Sequence, residues 1–231
     1  MNVHRQNFDL VGIGLYSPIE AQRLIHVPAT KIARWLKGHT AHGKLYKPLW
    51  RPQVDLSDGS LYLGFRDLME LRTAHRFMEL GVSPQQIRRA ILEARKLVND
   101  ERPLSTTVFR TDGRTIFLEI ADQEGDLQLL DLFRKQYAFK KVMEASLKDV
   151  EYDDATPSRW WVATRRKGII VDPERSFGQP IDNESGIPTS ILAASARSEG
   201  SIDAAASAWD VSRETVRRAV DFENSLYEKA A

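Results

Sequence analysis

Between Tyr16 and His39 the chain reads YSPIEAQRLIHVPATKIARWLKGH, with apolar residues at helical spacing on both sides of Val27-Pro28. Ala21, Leu24 and Ile25 recur at i, i+3 and i+4, which predicts a helix with one buried face running to about Ile25. Ser17-Pro18-Ile19-Glu20 supplies its start: a hydroxyl cap, a proline at the first helical position and a glutamate placed to close a capping box. Pro28 has no N–H with which to continue that helix. A second helix from about Ala29 to Lys37 then turns Ile32, Trp35 and Leu36 inward and Lys31, Arg34 and Lys37 outward, until Gly38 ends it.

Residues 40–63 are rich in Gly, Pro, Asp and Ser; SDGS predicts a turn and SLYLGF a short strand, the layout of a wing. The stretch FRDLMELRTAHRFMELGVSPQQIRRAILEARKLV predicts two helices split at Gly81, the second started by Ser83-Pro84 with Gln86 at the capping-box position. Their core-facing stripes are Leu68, Leu71, Ala74 and Met78, then Ile87, Ile91 and Leu97 or Val98. From Thr106 the alternation in TTVFRTDGRTIFLEI, with Asp112-Gly113 at its centre, predicts a β-hairpin. A long helix from about Asp126 to Leu147 follows, then YDDATPS as a linker and RWWVATRRKGIIVDP as a hairpin or strand pair. Three helices close the chain, Ser190 to Ser198, Ser201 to Trp209, and Ser212 to about Glu228. The expected fold is mainly α with small β-hairpins. A winged helix-turn-helix occupies 1–98, a β-hairpin and long helix form a connecting and dimerisation segment over 99–155, and a three-helix, homeodomain-like module occupies 156–231.

Charge divides the chain where the hydrophobic pattern does not. Residues 1–52 hold eight Lys/Arg against two acids, a net of +6, together with four of the five histidines, while residues 168–231 carry a net of −5. Phosphate neutralisation supplies most sequence-independent affinity for nucleic acid, so a polyanion is drawn to the N-terminal end. Lys31 and Arg34, with Thr30, are therefore the candidate base-facing residues, and Lys37, His39 and Arg51 the candidate phosphate contacts. The bland alternative is a solvated helix face. The C-terminal helix pair offers Arg213, Arg217 and Arg218 as alternative DNA contacts, but Glu214/Arg218 and Arg217/Asp221 at i,i+4 predict intrahelical pairs, which favours contact with protein. Arg159, Trp161, Arg165 and Arg166 are candidate partner-binding residues, since two adjacent tryptophans in a strand face opposite ways and Trp and Arg dominate interface hot spots.

Catalysis and metal binding find little support. The chain has no cysteine. His39 and His42 lack further ligands, Asp153-Asp154 and Asp172 with Glu174 have no His or Lys beside them, and no phosphate-binding glycine loop is present. No enzyme activity, metal or cofactor is expected. No apolar run reaches membrane-spanning length, and MNVHRQNFDL lacks a signal-peptide layout, so the expected location is the cytoplasm, without a membrane partner.

Two resemblances add to this reading. Residues 16–98, through YSPIEAQRLIHVPATKIARWLKGH and FRDLMELRTAHRFMELGVSPQQIRRAI, resemble the winged helix-turn-helix of MerR-type regulators; the long coiled coil and effector-binding end of those proteins are missing, so no small-molecule effector is implied. Residues 168–226 resemble the C-terminal module of VapB-type antitoxins of type II toxin–antitoxin systems, through DP…FGQP, SGIPTSIL, EGSIDAAA and VRRAVDFE, with NESGIP where relatives commonly carry a Gly-Thr-Arg-type run. That resemblance implies a homodimer that neutralises a PIN-like, VapC-type ribonuclease toxin and represses its own operon at operator DNA. The alternatives are a freestanding MerR-like regulator whose C-terminal module serves dimerisation, and a nucleic-acid-processing enzyme.

Overall fold

In the computed structural model, which describes residues 10–41, 43–134 and 136–228, helix α1 (Pro18–Ile25) starts on the capping box read from the sequence. Ser17 Oγ accepts from the Glu20 N–H at 3.3 Å, and the Glu20 carboxylate accepts from the Ser17 N–H at 2.8 Å. A three-residue turn through His26, in the left-handed region at φ 58°, leads to α2 (Ala29–Lys37), which buries Ile32, Trp35 and Leu36. Strands β1 (His39–Ala41) and β2 (Lys44–Tyr46) follow at once as an antiparallel hairpin pairing His39 with Tyr46 and Ala41 with Lys44. The hairpin thus lies directly behind α2. SLYLGF forms no strand; Leu63 makes an isolated bridge with Tyr16, whose main chains exchange two 2.9 Å hydrogen bonds.

Helices α3 (Phe65–Glu79) and α4 (Pro84–Val98) appear where expected, and Ser83 and Gln86 cap α4 reciprocally. Leu68, Leu71 and Ala74 are fully buried, but the α4 stripe is Ile87, Ala90, Ile91 and Ala94, while Leu97 is exposed. The predicted hairpin at Thr106–Ile120 is instead helix α5 (Thr107–Glu124). Its alternating residues also satisfy the helical period, and Phe109, Gly113, Ile116, Phe117 and Ile120 form the buried face. Gly113 serves close packing rather than a turn: a Cβ there would lie 2.7 Å from the Phe109 ring, and that ring is itself held edge-on to Phe77 and Phe117. Glycine to alanine inside a helix ordinarily gains about 1 kcal/mol. Gly113→Ala is expected to reverse that sign and cost about 1–3 kcal/mol through overpacking, read as a lower urea midpoint.

The expected long helix is two, α6 (Leu127–Arg134) and α7 (Gln136–Leu147), with α6 capped by Asp126, which accepts from the Leu129 N–H at 2.9 Å. Together α3 to α7 enclose Phe77, Phe109, Phe117, Phe133 and Phe139, of which Phe117 and Phe133 stack at 4.6 Å. The expected linker YDDATPS is the turn of a hairpin between β3 (Val150–Asp153) and β4 (Thr156–Trp160), with Asp154 in the left-handed region at φ 52°. Strands β5 (Ile169–Val171) and β6 (Pro180–Asp182) extend it to an antiparallel sheet in the order β3-β4-β5-β6. Arg72 of α3 ties this sheet to the bundle. Its guanidinium lies 4.7 Å over the Trp160 ring and donates to the Ala145 carbonyl at 3.2 Å near the end of α7, where burial lowers its pKa to about 10.

Helices α8 (Thr189–Ser198), α9 (Ile202–Trp209) and α10 (Arg213–Glu228) close the chain around a small core of Leu192, Ala205, Ala206, Val216 and Ala219. Phe222 of α10 belongs instead to the main core, which runs back to Tyr16. The segment before α1 docks on this end of the protein too. The Leu15 N–H donates to the Phe177 carbonyl at 2.9 Å and the buried Tyr16 hydroxyl to the Gly178 carbonyl at 2.8 Å. Gly178 is required at that close approach, because a Cβ would sit 2.1 Å from the Tyr16 oxygen. Among the described residues no helix is long and apolar enough to cross a membrane.

Candidate nucleic-acid interface

The outward side of α2, the β1–β2 hairpin and the first turns of α4 enclose a groove of about 660 Å³ with an apolar floor that includes Trp35, Leu49 and Tyr46. Its rim is cationic: Lys31, Arg34, Lys47 and Arg88 line it, with the His39 ring among them. Four of the six residues proposed from the sequence as DNA contacts come together here or at its edge. Thr30 is exposed at the start of α2. Lys31 lies 4.8 Å above the Trp35 ring, and Arg34 donates to His39 Nε2 at 3.0 Å. The other two lie outside the groove lining, Lys37 donating to the Gly59 carbonyl at 2.9 Å and Arg51 facing Asp55 at 3.8 Å.

Sequence reasoning missed Arg88. It comes from α4, about 50 residues beyond α2, and donates to the Lys47 and Pro48 carbonyls, which fastens the segment after the hairpin to the bundle while keeping a cation on the rim. Only the position of Arg88 on the flank of the α4 stripe, beside Ile87 and Ile91, could have signalled it. His75 of α3 backs the same helix, its ring 6.2 Å from Trp35; burial and the neighbouring Lys31 lower its pKa. His42 falls outside the described residues.

Two buried acids of α3 gather the segments around that helix. Asp67, in the first turn of α3 and fully buried, accepts from Trp50 Nε1 at 3.1 Å, the Gln53 N–H at 2.7 Å, the Gly64 N–H at 3.0 Å and Arg102 Nε at 2.6 Å. Arg102 also donates to the Arg51 carbonyl at 3.0 Å. One turn on, buried Glu70 accepts from the Leu104 and Ser105 N–H groups at 3.1 and 3.0 Å, yet desolvation outweighs those bonds and raises its pKa to about 7. An acid whose folded pKa lies above its unfolded value of 4.5 holds its proton better in the native state, so its contribution to stability falls as pH rises from about 4.5 to 7. The stability difference between wild type and Glu70→Gln is expected to change by about 2–3 kcal/mol between pH 5 and pH 8, in favour of the variant at pH 8. Urea denaturation at the two pH values measures it, and a pH-independent difference would contradict it.

The remaining candidates are tied into the protein to differing degrees. Arg159 pairs with buried Asp172 at 2.9 Å, Arg165 with Glu151 at 3.0 Å, and half-buried Trp161 donates to Glu151 at 2.8 Å beneath the Arg165 guanidinium. Arg166 is exposed on the rim of a cleft between α1 and α10 and makes no ion pair among the described residues. Arg217 pairs with Glu214 at 3.4 Å, at i,i+3 rather than the expected i,i+4 with Asp221. Arg218 finds its partners across the module instead of along the helix, in buried Asp182 at 2.7 Å and Glu184 at 3.0 Å, and Arg213 bonds Asp203. No group of three or more His, Cys, Asp or Glu able to hold a metal occurs among the described residues.

No family model matches the chain. A curated relative from Mycobacterium tuberculosis (strain ATCC 25618 / H37Rv), named "Putative antitoxin VapB45", is 24% identical over 225 residues, covering 90% of this chain and 93% of that protein. The crystal structure of Rv2018 from Mycobacterium tuberculosis is similar with a TM-score of 0.69 at 24% identity, over 89% of this chain and 97% of that one. The structural likeness therefore extends over nearly the whole fold.

Proposed function

We propose that this chain is a VapB-type antitoxin that neutralises a PIN-like ribonuclease toxin and represses its own operon through operator DNA. The antitoxin part rests on the relative of that name, matched over nine-tenths of both lengths. The DNA-binding part is carried by one observation, the convergence of Lys31, Arg34, His39, Lys47 and Arg88 around a single groove. In this reading the α1–α2 pair is a helix-turn-helix and β1–β2 its MerR-like wing. Lys31 and Arg34 reach base edges while Lys47 and Arg51 grip phosphates, so that the backbone contacts set register and the base contacts set sequence. A homodimer places two such helices about 34 Å apart, one helical turn of DNA.

The acidic end is left for the toxin. Arg159 and Arg165 are engaged within the protein, so Arg166 is the better placed to reach a nuclease's metal-binding carboxylates. The C-terminal arginines are likewise engaged in ion pairs within the protein, which favours a protein-facing role for α8 to α10 over a second DNA contact.

The experiment is co-expression with the adjacent reading frame. The neighbour alone is expected to arrest growth, and this chain to restore growth and co-purify with it. Lys31→Ala/Arg34→Ala should neutralise as well as wild type, because the two ends act separately. Growth arrest that this chain cannot relieve would overturn the antitoxin reading.

A further inference from the structure

The cationic groove contains a chain of contacts that links the hairpin to the α2 helix. His39 and Tyr46 are cross-strand partners at the base of the hairpin, and their rings stack at 4.9 Å with planes 9° apart. Lys44 lies 5.5 Å from the centre of the Tyr46 ring. Arg34, in turn, donates to His39 Nε2 at 3.0 Å. A guanidinium has donors and no acceptor, so Nε2 must offer its lone pair and the ring proton must sit on Nδ1. That Nδ1 is buried without a partner among the described residues. An orphaned buried donor costs free energy, and here the cost accompanies the one geometry in which the ring can hold the arginine.

We infer that His39 is a positioning residue for sequence reading: stacked on Tyr46, it holds the Arg34 guanidinium so that its remaining N–H groups face a guanine edge, and it does not itself grip phosphate. This rests on the reading of the groove as a DNA-binding face. An arginine has many rotamers, and a bidentate contact to guanine needs one of them. Fixing the guanidinium beforehand removes the ordering cost from the specific complex, whereas contacts to the uniform backbone gain little from it. His39 therefore acts on discrimination between sequences, and Lys47 and Arg51 act on affinity for any sequence.

The test uses the full-length protein and measures binding to its best site from a randomised duplex pool and to a scrambled duplex, across a salt series. His39→Ala is expected to lose roughly tenfold to hundredfold in the ratio of specific to scrambled affinity while keeping the wild-type salt slope. His39→Gln, whose side-chain oxygen reaches the position of Nε2 and can accept from Arg34, should recover most of the ratio. Tyr46→Leu, which removes the stacking partner, should lose an intermediate share. A His39→Ala protein that discriminates like wild type would overturn the inference, and so would equal losses on both duplexes with a salt slope reduced by about one, the mark of a phosphate contact. A wild-type protein that enriches no sequence from the pool would instead remove the DNA-binding reading on which the inference stands.

Discussion

Asp67→Ala is expected to lower folding stability by about 3–5 kcal/mol, among the largest effects of any single substitution in the chain. The carboxylate is fully buried and accepts four hydrogen bonds, from Trp50, Gln53, Gly64 and Arg102. Removing it strands the Arg102 guanidinium, itself only 9% exposed, without its charge partner. It also releases two backbone N–H groups and an indole N–H that cannot reach water without opening the structure. The bonded groups come from the segment after the hairpin and from the turn before α3, so the loss propagates to the groove. Asp67→Asn keeps the shape and an acceptor but not the charge and is expected to fall between the two. Urea denaturation of the three proteins measures this, and an Asp67→Ala midpoint within experimental scatter of wild type would contradict the account.

These buried acids show where the sequence is legible and where it is not. Asp67 and Glu70 lie in FRDLMELRTAHRF among charged residues and look like any solvated helix face. Nothing local reveals that Trp50, Arg102 and the Leu104–Ser105 backbone converge on them from outside the helix. The start of α1 is legible because its signals are local: Ser17, Pro18 and Glu20 are within one turn of each other, and each satisfies a backbone group that a helix end must satisfy. The closing helices are readable to within a residue or two for the same reason, with breaks at Gly200 and Asp210.

Helix α5 misleads because its pattern fits two periods at once. Val108, Arg110 and Asp112 alternate with Phe109, Thr111 and Gly113 as a strand would, and Asp-Gly is the strongest short hairpin signal. Length arbitrates. Helical spacing persists through Ile120 and Ala121, well beyond an ordinary strand, and Thr106 caps it by accepting from the Phe109 N–H at 3.2 Å. At the candidate site, the α2 contribution is visible as a basic stripe beside an apolar one. Arg88 is not, because the charge of a distant helix joins a groove only after the bundle has packed.

The second large effect concerns the groove itself. Lys31→Ala/Arg34→Ala removes one cation stacked on Trp35 and another held by His39, both on the outward face of α2. Arg34 is exposed and Lys31 half-buried over Trp35, while Ile32, Trp35 and Leu36 still anchor the helix, so folding stability should change by about 1 kcal/mol or less. A side chain bonded to a base edge is worth roughly 1–3 kcal/mol, and under the proposed reading the double variant gives up a pair of them, so specific DNA affinity is expected to fall by about a hundredfold or more. Stability and binding therefore separate here, whereas in Asp67→Ala they fail together.

The central claim, that one end of the chain reads DNA and the other holds protein, is tested most directly by binding of purified protein to the DNA upstream of its own reading frame. Wild type, Lys31→Ala/Arg34→Ala and Arg217→Ala are compared across a salt series. The expected result is specific binding that collapses in the double variant and survives in Arg217→Ala at every salt concentration. Normal binding by the double variant together with failure of Arg217→Ala would contradict the assignment and exchange the roles of the two ends.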